Sequence, residues 1–338
     1  MKATKEKLNP IAAAIKKNNY YLILVGALVA IFIIVTFINS NYASLGNIVS
    51  MLEQMSEYAL MALGIMLCFV AGGVDLSTVG VANLVAALAA MSLLRFVPEG
   101  CSDGTYALGM VIIIVGGILI GVVAGLINGV LIAKLGIPPM LATMAANYVY
   151  TGICMVLTEG ASISGINTRY VDALSYKFFD VLPISIVILL ICTALVAVLM
   201  NKATFGTKVC MVGTNPKATR MAGLNNDRIL ITVHVICSAL SALAGLIMLS
   251  RLSSSRADYG KAYSTQAILI VILGGTDPLG GSGKVLGVLL GSFIIQAVTT
   301  AIAMIPGANS YIKNVVFASL LLGLMILDWY RAKGKKRK

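Results

Sequence analysis

Two short segments of this chain place a carboxylate where water is scarce. Gly72-Gly73-Val74-Asp75 stands between two long apolar runs, and Gly274-Gly275-Thr276-Asp277 partly repeats it before another run rich in small residues. An ionisable group at membrane depth is costly, which makes Asp75 and Asp277 functional-site candidates, and the chemistry open to them is proton or cation coupling. The competing reading is mechanical: glycine forms a turn at the membrane edge and aspartate caps the helix that follows.

Other residues able to do chemistry are few. Glu53 and Glu57 lie one helical turn apart, with Gln54 beside them. Carboxylates about 5 Å apart serve retaining glycosidases, but this pair shares one helix face at a membrane edge and fits interfacial solvation or a polar entry path better. Gly280-Gly281-Ser282-Gly283-Lys284 imitates a phosphate-binding loop, yet that motif needs glycine where Pro278 stands and a hydroxyl residue where Val285 stands. Nucleotide binding is therefore not expected in this chain. The single histidine, His234, falls in an apolar helix as a packing residue, and the six cysteines are scattered with no CxxC, so the common zinc patterns are missing. Cysteine inside a span acts as a small hydrophobe, and only Cys101 is expected outside. With no catalytic cluster, neither an enzyme nor a bound cofactor or metal is expected.

These residues must be positioned by membrane-spanning helices. Of the 338 residues 59% are hydrophobic and 11% charged, against about 25% charged in soluble chains. A run of about 20 apolar residues crosses a ~30 Å hydrocarbon core as a helix, and lipid leaves only helices or closed barrels to satisfy the backbone. The expected fold is an all-α integral membrane protein of about ten transmembrane helices, near 20–38, 50–71, 79–95, 108–133, 138–157, 183–200, 229–250, 264–274, 285–305 and 311–329. The eighth is short and ends in the second glycine loop. The first is too long for a signal peptide and lacks a cleavage site, so it reads as a retained span.

The net charge of +12 gathers in loops and ends without interleaved aromatics, which argues against nucleic acid. In the ten-span arrangement 18 of the 25 Lys and Arg share the side of the two termini, and that side is then the cytoplasm. The chain divides into a basic start (1–19), a membrane body (20–330) and a basic tail (331–338). Loops 96–107, 158–182 and 251–263 face outward, and 201–228 is the large inward loop. Both glycine segments then fall at the inner side, which favours Asp75 as a cap in a helix-breaking turn. The outer loop from Arg251 to Asp258 forms ion pairs with a partner or is a solvated turn. Gly121-x3-Gly125-x3-Gly129 is a small-residue ridge that lets two helices approach.

The inward loop carries its own helix signals. Asn215 and Pro216 read as N-cap and first-turn proline, Lys217 to Met221 as a short helix, and Gly223 as its C-cap. A second start follows at Asn225-Asn226-Asp227. A short helix with an alanine and methionine face and basic flanks suits a groove on another protein; the alternative is a helix lying on anionic headgroups.

Four ordered segments carry a family resemblance. Phe69 to Gly80, FVAGGVDLSTVG, resembles the GG[IV]DLS segment of the permease subunits of ATP-binding-cassette importers, in the ribose/xylose/arabinose/galactose branch. Gly125-Leu-Ile-Asn128-Gly129 followed by Ile137-Pro-Pro-Met-Leu-Ala-Thr143, then Gly213-Thr-Asn215-Pro216-Lys-Ala-Thr-Arg220-Met-Ala-Gly223, then Ile272 to Gly287 resemble three further segments in the family's order. The chain departs from the pattern in the extra residue before Gly80 and in Met140, where phenylalanine is usual. The resemblance implies a permease of type II, vitamin-B12-importer-like architecture in a bacterial inner membrane, paired as a homodimer or with a paralogue, with both termini cytoplasmic. It implies as partners an ATPase subunit with two nucleotide-binding cassettes and an extracytoplasmic substrate-binding protein, with a monosaccharide or similar polyol as cargo. Gly213, Asn215, Pro216, Arg220 and Gly223 would then couple to the ATPase. Glu57, Gly72, Gly73, Asp75, Ser77, Asn83, Asn128, Gly274, Gly275 and Asp277 are the expected pathway residues. An ion-coupled secondary transporter of a small polar solute is the alternative.

Overall fold

The computed structural model describes residues 10–178, 181–305 and 312–336, with the side chains of 10–19, 324 and 327–336 left aside. The expected basic start therefore lies outside the described residues over 1–9, and the tail over 337–338. Helices follow in the order α1 (Pro10–Ile38), α2 (Leu45–Val70), α3 (Thr78–Phe96), α4 (Asp103–Ala133), α5 (Pro139–Thr158), α6 (Thr168–Ser175), α7 (Ile184–Asn201), α8 (Thr204–Thr214), α9 (Pro216–Met221), α10 (Asn226–Leu252), α11 (Tyr263–Leu273), α12 (Val285–Ala303) and α13 (Ile312–Lys336). Two-residue strands β1 (Ile163–Ser164) and β4 (Ser254–Ser255) pair antiparallel, as do β2 (Lys177–Phe178) and β3 (Leu182–Pro183).

Among the described residues eight helices are long and apolar enough to cross a membrane: α1 to α5, α7, α10 and α12. Two shorter apolar helices, Tyr263–Leu273 and Ile312–Gly323, stand beside them. At 1.5 Å per residue, the 11 residues of α11 reach only about half of the hydrocarbon core.

α2 is the axis of the molecule. Every residue from Met55 to Val70 is buried, Ser56 and Glu57 included. α7, α10, α11 and α12 close around it. α3, α4 and α5 pack with α10 in a second cluster, and the glycine ridge of α4 makes that packing close. A Cβ on Gly125 would sit 2.5 Å from the His234 carbonyl oxygen, and one on Gly129 2.7 Å from the Ile231 Cα. The ridge is thus a helix–helix contact surface. α1 lies outside, tied in by the buried Tyr42 just past its end, whose hydroxyl donates to the Ala297 carbonyl over 2.8 Å.

The breaks between helices follow local chemistry. Ser44 and Ser102 are N-caps that accept from Asn47 N and Thr105 N, and Pro139 opens α5 where a missing N–H is harmless. The sequence did not reveal α6 or α8, which are short and flanked by ordinary loop residues.

Candidate functional site

The α2–α3 break is held from three sides. Gly72, with φ +89°, turns the chain out of α2, and Gly73 N donates to the Cys68 carbonyl at 2.9 Å. Asp75 is fully buried, and its Oδ1 accepts from Ser77 N at 2.8 Å and from the Ser77 hydroxyl at 2.6 Å. Ser77 itself is the N-cap residue of α3 and makes no side-chain cap bond. The aspartate therefore orders the turn that enters the helix from two residues before the cap. Asn128 Nδ2 of α4 donates to the Ser77 hydroxyl at 2.8 Å, and the Tyr150 hydroxyl of α5 lies 3.3 Å from Asn128 Oδ1. From the other side, the Thr143 hydroxyl accepts from Leu76 N at 3.1 Å and Asn147 Oδ1 accepts from Gly80 N at 2.9 Å. The Pro-Pro-Met-Leu-Ala-Thr segment of α5 is thus a buttress for the first glycine turn.

The α11–α12 break repeats this chemistry with a shift. Asp277 Oδ1 accepts from Leu279 N at 2.9 Å, the same two-residue aspartate turn that Asp75 makes. The left-handed glycine is Gly275, the second of its pair, whereas in the first segment it is Gly72, the first of its pair. Asp277 is exposed and Asp75 is buried, so the two carboxylates share a turn and differ in environment.

Both breaks meet the segment between α7 and α10. Gly281 N donates to the Val70 carbonyl at 2.9 Å. A Cβ on Gly213, at the end of α8, would overlap that same carbonyl oxygen and sit 2.7 Å from Gly281 N. A Cβ on Gly280 would lie 3.0 Å from Gly72 Cα. Three glycine-bearing segments, distant in sequence, form one junction of backbone against backbone. α9 follows directly. Asn215 Oδ1 accepts from Ala218 N at 3.0 Å with Pro216 in the first turn, and Gly223 at φ +80° ends the helix while Leu224 N donates to Thr219 O. Arg220 pairs with Asp227 at 2.9 Å on the surface. Met221 is 90% exposed, an apolar side chain offered to solvent at the tip. Beside it a cavity of about 370 Å³ is lined by Arg220, Gly223, Leu224, Asn225, Asn226 and Asp227.

Glu57 and Asn83 belong elsewhere. Glu57 is fully buried and takes both Nε and Nη2 of Arg251, with the Tyr263 hydroxyl donating to it at 2.9 Å. The Tyr58 hydroxyl next to it donates to Gln296. Asn83 Nδ2 donates to the carbonyls of Ala257 and Tyr259, each at 2.9 Å. Hydrogen bonds with Ser254 and Ser162 hold the Tyr259 phenol below the usual tyrosine range. These two residues clamp the loop after α10, at the end of the bundle away from the glycine junction. Arg251 is engaged within the chain, as is Arg256 with Asp258 at 2.9 Å, and Glu53 with Lys177 at 3.2 Å. Sequence reasoning missed the Glu57–Arg251 pair, 194 residues apart. The only signal was two opposite charges, each near the end of an apolar run.

Comparison with known proteins places the chain among permeases. Residues 47–327 match the family model described as Branched-chain amino acid transport system / permease component. The chain is 32% identical over 297 residues to the ribose import permease protein of Bacillus subtilis, covering 88% of each chain. It is 29% identical over 327 residues to the L-arabinose transport system permease protein of Escherichia coli, covering 94% of this chain and 93% of that one. Against the autoinducer 2 import system permease protein of Yersinia enterocolitica it is 25% identical over 302 residues, 89% of this chain and 80% of the other. No solved structure matches. This match over most of its length has one conclusion: the chain belongs to the Branched-chain amino acid transport system / permease component family.

Proposed function

We propose that this chain is the permease subunit of an ATP-driven importer that carries a monosaccharide or similar small polar solute across the bacterial inner membrane. The relatives named above as ribose and arabinose permeases support the cargo class. ATP hydrolysis belongs to a separate subunit with two nucleotide-binding cassettes, and an extracytoplasmic binding protein delivers the solute to a homodimer or a paralogous pair of permeases. The eight long helices together with α11 and α13 make ten segments in a type II arrangement, with both termini in the cytoplasm.

One observation carries the mechanism: the end of α8, next to α9, abuts both helix breaks at Gly213, which meets the Val70 carbonyl and Gly281 N backbone to backbone. A push on the Asn215–Gly223 segment by the ATPase is transmitted as backbone displacement to α2–α3 and α11–α12. The ATPase must contact two permease states differently for this to drive transport. Gly72, Gly73, Ser77, Asn128, Gly274, Gly275 and Asp277 then move with the pathway's inner half, while Glu57 and Asn83 hold its outer half. Exposed Met221 and the adjacent cavity favour a protein groove over lipid headgroups as the surface that receives α9. An ion-coupled carrier, the alternative, lacks the support that the relatives named as import permeases give the first reading.

Arg220→Glu tests the coupling role, with Asp227→Asn as control because it also breaks the Arg220–Asp227 pair. The expected result is loss of ATP-driven uptake in the first variant, with folded protein in the membrane, and near-normal uptake in the second. Normal uptake and ATPase stimulation in Arg220→Glu would remove α9 from the coupling role.

A further inference from the structure

The turn after α2 holds a second cluster that transport coupling does not use. Cys68 in the last turn of α2, Asp75 in the turn and Cys237 in α10 are all fully buried, and their ligand atoms lie within 4.8 Å of one another. Asp75 Oδ1 is engaged by Ser77, while Asp75 Oδ2 is buried with no hydrogen-bond partner. The carboxylate is oriented from behind by Ser77, Asn128 and Tyr150 in series. Such outer contacts fix a ligand's direction and are part of most metal centres.

The geometry points to a binding site for a thiophilic divalent cation, Zn²⁺ or Cd²⁺, with Cys68, Cys237 and Asp75 as its three protein ligands. Two sulfurs and one carboxylate oxygen are a donor set that such ions accept, with a fourth position left open. Bonds of about 2.0–2.3 Å draw the donors closer than their present spread. Binding releases the two thiol protons and leaves one net negative charge, which the N-terminus of α3, beginning at Thr78, favours. Over the cluster's turn, Gly72 is exposed and Gly73 and Val74 are half-buried. The bound ion would join α2, the turn and α10 at the helix break.

The experiment uses the full chain in detergent, with Cys101, Cys154, Cys192 and Cys210 replaced by alanine, and Cd²⁺ alone as probe. One equivalent per chain is expected, with thiolate-to-cadmium charge-transfer absorbance and a raised Tm. Cys68→Ala and Cys237→Ala abolish that absorbance change, Asp75→Asn weakens binding at least tenfold, and Asn128→Ala, behind the carboxylate, by about 10- to 100-fold. Absence of the absorbance change, or its persistence in Cys68→Ala, overturns the site. If the four-alanine background does not fold, the native chain against Cys68→Ser and Cys237→Ser gives the same reading, as loss of one equivalent or none.

Discussion

Gly213→Ala tests the backbone junction with a single methyl group. That methyl overlaps the Val70 carbonyl oxygen and lies 2.7 Å from Gly281 N. Both neighbours are backbone, so no side-chain rotation relieves the contact, and α8 must move away from the two glycine turns. The displacement breaks the Gly281 N–Val70 O hydrogen bond, now 2.9 Å. Overpacking costs about 1–3 kcal/mol and the lost hydrogen bond about 1 kcal/mol, a total of about 2–4 kcal/mol. At 1.4 kcal/mol per tenfold, the docked arrangement loses roughly thirtyfold or more against the undocked one. The assay is uptake and ATP hydrolysis measured together in proteoliposomes that contain the permease, its ATPase and its binding protein. Uptake should fall at least tenfold while hydrolysis continues. Gly116→Ala is the control, because a Cβ there meets nothing within 4 Å and a helical alanine is favoured by up to about 1 kcal/mol. Wild-type uptake per ATP in Gly213→Ala would refute the junction as the transmitting element.

Further outcomes follow from other contacts. Asp75→Asn keeps an oxygen for Ser77 and should leave uptake within about threefold of wild type, in line with the small cost of exchanging capping residues; near-total loss would restore an ion-coupling role. Glu57→Gln leaves Arg251 half-buried with a weakened partner, and breaking a buried pair costs about 3–5 kcal/mol, so a large drop in Tm is expected. The double variant Glu57→Gln/Arg251→Met should recover part of it, and equal melting of single and wild type would contradict the buried pair. Gly125→Leu drives a side chain into the His234 carbonyl and should sharply reduce the yield of folded protein, measured by size-exclusion chromatography.

The sequence made the helices legible because lipid imposes length and apolarity on every span, and the caps at Asn215, Pro216 and Gly223 because they are local. The Gly-Gly-x-Asp segments were legible as turns. Their meeting at Gly213 was not, since glycine carries no sign of which distant backbone approaches it. The expectation of Asp75 as cap is corrected: the N-cap is Ser77, and Asp75 holds Ser77 N from two residues before it, a distinction of geometry and not of composition. Glu57 shows the opposite limit. A carboxylate near a helix end reads as interfacial until its partner is known, and Arg251 is brought to it by the fold alone.

The most direct test of the whole account is accumulation, by proteoliposomes holding this chain, its ATPase and its binding protein, of a labelled monosaccharide that the binding protein takes up. The account predicts accumulation against a gradient that needs ATP inside the coupled assembly and is unaffected when ionophores collapse proton and sodium gradients. Uptake that persists without the ATPase and disappears with the ionophores would contradict it.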